Sequence, residues 1–217
     1  MGGPRNPLAA VVRAALPAGI AVGASTVRPA SPSEPPQRGQ HRAGREAAAA
    51  ALCAAGVPTE QPLPRTATGS AAWPAGTTGS ISHTDRIALA VAAASEGFRR
   101  LGVDLEEAAA LPEGVLELVS SDRQLAGLAG VRAAGGGLPL DLVVFSAKEA
   151  AAKALGGPEA GPPSLRDIDV TLVAEHWTAG RFVARGPHGQ VLGGRYLEAA
   201  GHVVTACWQD ASGEGPA

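Results

Sequence analysis

Two alanine-rich stretches carry the clearest hydrophobic periodicity in the chain. QRGQHRAGREAAAAALCAAG, from Gln37 to Gly56, predicts a helix that stops at Gly56 with Pro58 beyond it. LDLVVFSAKEAAAKALGG predicts a second helix, stopped by Gly156, Gly157 and Pro158. Strand signals lie between and after them. GSISHT and RIALAVAAAS read as two short strands with a turn near Thr84 and Asp85. In LGVDLEE, Val103 and Leu105 alternate with Asp104 and Glu106, the period-two pattern of a half-buried strand. LPEGVLELVSSDRQLAGLAG reads as a loop and then a helix, and RAAGGGLP as a connection. In the tail, DIDVTLVA, GRFVARG, VLGGRYLE and HVVTACW alternate as antiparallel strands between Gly and Pro turns. Residues 1–36 predict little beyond a proline-rich loop at VRPASPSEPP.

Each strong helix is followed, after a turn-rich gap, by short strands. That echo predicts an α+β fold: a pseudo-twofold pair of similar α+β lobes, residues 1–102 and residues 103–217. Composition supports a real core, because 45% of the 217 residues are hydrophobic, enough for one large domain or two small lobes. Aromatic residues make up only 3%, so packing has to rest on Ala, Val and Leu. A formal net charge of −2 provides no global basic field, which argues against nucleic acid and makes any anion site local. Cys53 and Cys207 are too few for a disulfide framework or a zinc cluster and fit a reducing cytosol. LAAVVRAALPAGIAVG is broken by Arg13 and Pro17, too interrupted to span a bilayer and a poor signal segment. The expectation is a cytoplasmic protein with no membrane partner.

Asp104 and Glu106 share one face of their strand, with Cα atoms roughly 7 Å apart. Two anions side by side need a cation or donors. Glu149 offers a third carboxylate, and an all-oxygen set favours a hard ion such as Mg²⁺, which shares its shell with phosphate oxygens. On the second helix Phe145, Glu149 and Lys153 form one i, i+4 stripe, placing Lys153 where it can meet a phosphate. Lys148 is turned away by about 100°, toward solvent or toward a ligand. His83 ends a strand beside a turn, and Arg38, Arg42 and Arg45 recur with His41 as a basic helical stripe suited to gripping phosphate. Singly, each feature has a plainer account: strand-edge acids, a structural histidine, a solvated helix face. There is no GxxxxGK[ST] loop, no G-x-G-x-x-G after a strand and no G-x-S-x-G. The features converge on Mg²⁺-assisted phosphoryl chemistry.

Taken in order, WPAGTTGSISH, GVDLE and FSAKEAAAK resemble the signature motifs of the 4′-phosphopantetheinyl transferases, in particular the Sfp-type branch like enterobactin synthetase component D. The resemblance runs from about Gln37 to Lys153 and more loosely through the C-terminal strands. It implies a pseudo-twofold fold that binds coenzyme A at the lobe junction. The implied activity is transfer of the phosphopantetheine arm to a serine of an apo acyl or peptidyl carrier protein, releasing 3′,5′-ADP. By the same resemblance Asp104, Glu106 and Glu149 bind Mg²⁺, and His83 and Arg45, with Arg38 or Arg42, hold the 3′-phosphoadenosine end. Lys148 and Lys153 contact phosphates, Lys153 also steadying the departing ADP, and Glu149 or a water it orients is the base. Arg123 and Arg132, flanking Leu125 and Leu128, are candidates for docking an acidic carrier, and the lobed single chain implies a monomer. The sequence departs from the branch at Ala152, where an aromatic is usual, at Thr68, where a basic residue is usual with only Arg65 near, and at SPSEP. Those departures motivate an alternative, a catalytically idle homologue that binds coenzyme A or a carrier. The resemblance leaves open whether siderophore, polyketide, nonribosomal peptide or fatty-acid carriers are served.

Overall fold

The computed structural model describes residues 6–28, 35–57, 59, 62–67, 69–133, 138–157, 161–176 and 178–212. The helices are α1 (Pro7–Ala15), α2 (Pro36–Ala54), α3 (Val115–Val119), α4 (Asp122–Ala133) and α5 (Leu140–Leu155). The strands are β1 (Ala21–Thr26), β2 (Thr77–His83), β3 (Ile87–Ala94), β4 (Phe98–Glu107), β5 (Asp169–His176), β6 (Ala179–Arg185), β7 (Val191–Ala199) and β8 (His202–Asp210). They form two antiparallel sheets, ordered β1-β3-β2 and β4-β8-β7-β6-β5. The fold is α+β.

The expected pseudo-twofold is visible in that order. In each half a first strand leads to a long helix, and the last strand of a later hairpin returns to pair with the first strand. The sheets therefore begin alike, as β1-β3-β2 and as β4-β8-β7. The β5–β6 hairpin and helices α3 and α4 are additions to the second half. Strand β4 passes unbroken through residue 102, the position at which the sequence places the lobe boundary.

Of the four core clusters among the described residues, three follow from the alternation of side chains along the strands. Ala88, Ala90 and Ala92 of β3 meet Ala43, Ala47 and Ala51 of α2 on one face of the first sheet. Val143, Ala147, Ala150 and Ala154 of α5 pack with Phe182, Val203 and Cys207 on the second. The remaining faces turn toward each other, with Leu89 and Val91 meeting Leu101, Val103 and Leu105. Over this shared core lies α1, contributing Leu8 and Val12, with Leu16 just after it. The sequence reading left α1 and β1 unassigned. Their signals were present but short: an i, i+4 row at Leu8, Val12 and Leu16, behind a cap in which Asn6 Oδ1 accepts from Leu8 N at 3.0 Å and Pro7 takes the first turn.

With so few aromatic residues, the helices close on their sheets by shrinking the contact. Gly23 of β1 sits so near α2 that a Cβ would lie 2.2 Å from the Ala47 carbonyl oxygen. Gly102 of β4 repeats this against α5, where a Cβ would lie 1.9 Å from the Ala150 carbonyl oxygen. Neither contact involves a side chain that can swing away, so overpacking has to move backbone. Gly102→Ala is expected to cost about 3 kcal/mol in urea denaturation. At Gly97 the nearest atom to an added Cβ is 3.8 Å away. Gly97→Ala should therefore stay within about 0.5 kcal/mol of the parent.

Candidate functional site at the lobe junction

Strand β4 directs Leu101, Val103 and Leu105 into the core between the sheets, and so Asp104 and Glu106 face α5. Asp104 is only 3% exposed, yet its carboxylate is fully engaged. Lys153 Nζ donates to its Oδ1 at 2.6 Å, Ser82 Oγ to the same oxygen at 2.9 Å, and Ser146 Oγ to Oδ2 at 2.8 Å. Lys153 also donates to Ser82 Oγ at 3.0 Å and to the Val103 carbonyl at 3.3 Å. One ammonium therefore joins α5 and β4 of the second half to β2 of the first.

Glu106 and Glu149 are half-buried beside this pair. Burial, then the neighbouring Asp104 carboxylate, pushes Glu106 up to about 7, with Glu149 and Glu107 adding and Lys153 opposing. Glu149 is also raised, first by burial and then by Asp104, against the pull of Lys153. Three carboxylates thus confront one ammonium, and the excess negative potential suits a hard cation held by oxygen. The expected cage of three ligands is not preformed, however. Among the described residues no group of three His, Cys, Asp or Glu side chains is gathered as a metal site. Mg²⁺ keeps most of its shell for water and phosphate, so the donor chemistry fits it without such a cage.

A cavity of about 660 Å³ opens along α2, walled by His41, Arg42, Arg45, Leu63 and Arg65. Arg45 donates to the Pro64 carbonyl at 2.9 Å, and an Arg65 amine lies 2.8 Å from His41 Nε2. Guanidinium donates, so His41 accepts and is neutral there. Its pKa is lowered by burial first, then by Arg65 and Arg45. The Arg45 pKa is lowered too, by burial first and then by the Arg65 guanidinium, and Glu46 also lines the cavity. His83 is exposed at the end of β2, and its pKa is lowered by desolvation first, then by Lys153 and by His41, with Asp85 opposing. A second cavity of about 620 Å³ runs from Lys153 along β2, past Trp73, to Arg100 and Pro162.

Several expected residues stand elsewhere. Lys148 does not face the junction: it is fully buried and donates to the Leu165 carbonyl at 2.9 Å and, by a short bond, to that of Ile168. Burial lowers its pKa to about 8, with Asp169 and Asp167 opposing. The 100° rotation that left its role open carries it to the far side of α5, where it ties the segment before β5. Arg38 is exposed on the first turn of α2, and Arg42 and Arg45 line the cavity without it. Arg123 is exposed, but Leu128 is core, packed with Leu116 and Val144, and so supplies no docking patch. Thr68 and the Arg132 side chain lie outside the described residues, as does most of SPSEP. The sequence reading named no role for Ser82, Ser146 or Thr205. Ser82 and Ser146 stood within the quoted motifs and Thr205 within a quoted strand segment, with no further signal.

The two α+β halves thus meet at three carboxylates around one lysine, and an arginine-lined cavity opens separately along α2. Residues 30–93 match the 4′-phosphopantetheinyl transferase N-terminal domain, and residues 100–207 match the 4′-phosphopantetheinyl transferase superfamily. The chain is 32% identical over 173 residues to 4′-phosphopantetheinyl transferase PptT of Mycobacterium tuberculosis, covering 75% of this chain and 74% of that protein. It is 37% identical over 158 residues to Svp of Streptomyces mobaraensis, covering 71% of this chain and 61% of the relative's length. With Npt of Nocardia iowensis the identity is 41% over 86 residues, 40% of this chain and 37% of that protein. The chain belongs to the 4′-phosphopantetheinyl transferase superfamily.

The raised Glu106 pKa has a signed consequence. The folded side chain keeps its proton up to about pH 7, whereas the unfolded one loses it near 4.5. Stability from this group is therefore full below the unfolded pKa and lost as pH rises through the folded one. In metal-free urea denaturation, stability should fall between pH 5 and 8, and Glu106→Gln should flatten that slope. Lys148→Met should cost about 2 kcal/mol in the same assay, because it takes the ammonium donor from the buried Ile168 carbonyl and leaves the Leu165 carbonyl with Ile168 N alone.

Proposed function

We propose that this protein transfers the 4′-phosphopantetheine arm of coenzyme A to a serine of an apo acyl or peptidyl carrier protein, with Mg²⁺, releasing 3′,5′-ADP. The observation that carries the reading is the junction itself. A lysine shared between the lobes sits among three carboxylates and lines one cavity with Arg99 and Arg100, while a separate cavity along α2 is lined by His41, Arg42, Arg45 and Arg65. A diphosphate with a phosphorylated nucleoside at one end matches that division of charge. The relatives' names support the transferase class, and the Sfp-type branch like enterobactin synthetase component D is part of the proposal. So are the lobe boundary at 102 and 103, a cytoplasmic location and a monomeric state.

Asp104, Glu106 and Glu149 would hold Mg²⁺, which when bound neutralises the diphosphate and polarises its phosphorus. The remaining steps belong to the chain. Arg42, Arg45 and His83 grip the phosphoadenosine end. The carrier serine oxygen bonds to the β-phosphorus as the bond to the bridging oxygen of 3′,5′-ADP breaks. Glu149, directly or through a water it orients, takes the serine proton, and its burial-raised pKa moves it toward the range of a base working at neutral pH. Lys153 balances the charge that collects on the departing ADP.

Purified protein with Mg²⁺, coenzyme A and an apo carrier should raise the carrier's mass by one phosphopantetheine unit. Asp104→Ala should abolish the shift while circular dichroism stays native. The complete engagement of Asp104 by Lys153, Ser82 and Ser146 favours a second reading, an idle coenzyme A binder. Calorimetric binding of coenzyme A with no mass shift on a panel of carriers would select it.

A further inference from the structure

The two oxygens of Asp104 are not equivalent. Oδ1 takes both groups that face the junction, Lys153 Nζ and Ser82 Oγ. Oδ2 takes only Ser146 Oγ, from inside the second lobe. Ser146 is itself held: Thr205 Oγ1 of β8 donates to the Ser146 carbonyl at 2.9 Å and stands 2.9 Å from Ser146 Oγ. A hydroxyl has one proton. That of Ser146 goes to the charged acceptor, and that of Thr205 is shared between the carbonyl and Ser146 Oγ. Strand register fixes the third side of this triangle, since Asp104 and Thr205 are directly paired across β4 and β8.

Both hydroxyls are fully buried among Ala147, Ala150, Val203 and Cys207. Alanine and valine would fill that space without a polar group to satisfy. From this arrangement we infer that Ser146 and Thr205 are positioning residues: they pin Oδ2, so that Asp104 presents Oδ1 alone to the junction, to Lys153 and to a cation bound there. The inference rests on reading the junction as a metal and diphosphate site. The pair acts through Asp104 and touches no substrate.

The experiment uses Ser146→Ala and Thr205→Val, with Thr205→Ser as the conservative control. Crystal structures of the metal-free variants should show the Asp104 carboxylate rotated or in two orientations, and Thr205→Ser should keep the parent orientation. Calorimetric titration of Mg²⁺ into the protein with coenzyme A present should show affinity about 10- to 100-fold weaker in Ser146→Ala and Thr205→Val. Coenzyme A binding without metal should be unchanged. An unmoved carboxylate, or unchanged Mg²⁺ affinity with lowered melting temperature, would make the two hydroxyls structural filler and overturn the inference. If the parent protein itself takes up no Mg²⁺ in the presence of coenzyme A, the metal reading fails instead. The metal-free crystal structures then decide the role of Ser146 and Thr205 alone.

Discussion

A carboxylate buried at the junction, and the partly exposed ammonium that neutralises it, set the terms for everything around them. Asp104 is 4% exposed at its side chain, and Lys153, Ser82 and Ser146 converge on its carboxylate. Losing one partner of such a pair leaves a buried charge uncompensated, which is far worse than never having buried it. The cluster therefore constrains three elements at once: α5 has to bring Lys153 and Ser146 to the same strand residue, β8 has to stay in register with β4, and β2 has to remain against both. Glu106 and Glu149 stand beside this pair, and burial first, with the Asp104 carboxylate, raises their pKa values against the pull of Lys153.

Close approach of helix to sheet is what makes this convergence possible. A protein poor in aromatic side chains gains little from large interlocking rings, and here alanine faces glycine at both helix–sheet contacts. The gain is precision: the Ala150 backbone lies against Gly102, and two residues along the strand Asp104 meets Ser146. Helix α1 works differently. By spanning the core shared by both sheets, it resists rotation of one half against the other and so preserves the alignment of Ser82 with Asp104.

Much of this was legible in the residues. The alternation in LGVDLEE fixed which side chains of β4 share a face, and the alanine runs between glycine and proline stops gave α2 and α5 nearly to their ends. The pairing of a helix with later strands gave the twofold. Lys148 was not legible, because a lysine on an alanine helix reads as solvent-facing, and only the carbonyls of Leu165 and Ile168, twenty residues away or fewer, explain its burial. Nor was the engagement of Asp104, which depends on two hydroxyls and an ammonium from β2 and α5, both distant from β4 in sequence. Helix α1 escaped because nine residues give a periodic pattern too few turns to stand out. The basic stripe on α2 was visible, but which arginines enter the cavity depends on the loop bearing Arg65.

The matched glycines also allow the halves to be compared position by position. Placing Gly23 on Gly102 and Ala47 on Ala150 sets Ser25 opposite Asp104 and Glu46 opposite Glu149. In the first half those two simply bond to each other, Ser25 Oγ donating to Glu46 Oε2 at 2.6 Å. A hydroxyl in place of the strand carboxylate quenches the repulsion that would call for a counter-ion. Doubling of the architecture has therefore not doubled the acidic cluster, and the place equivalent to the proposed centre holds a closed hydroxyl–carboxylate pair.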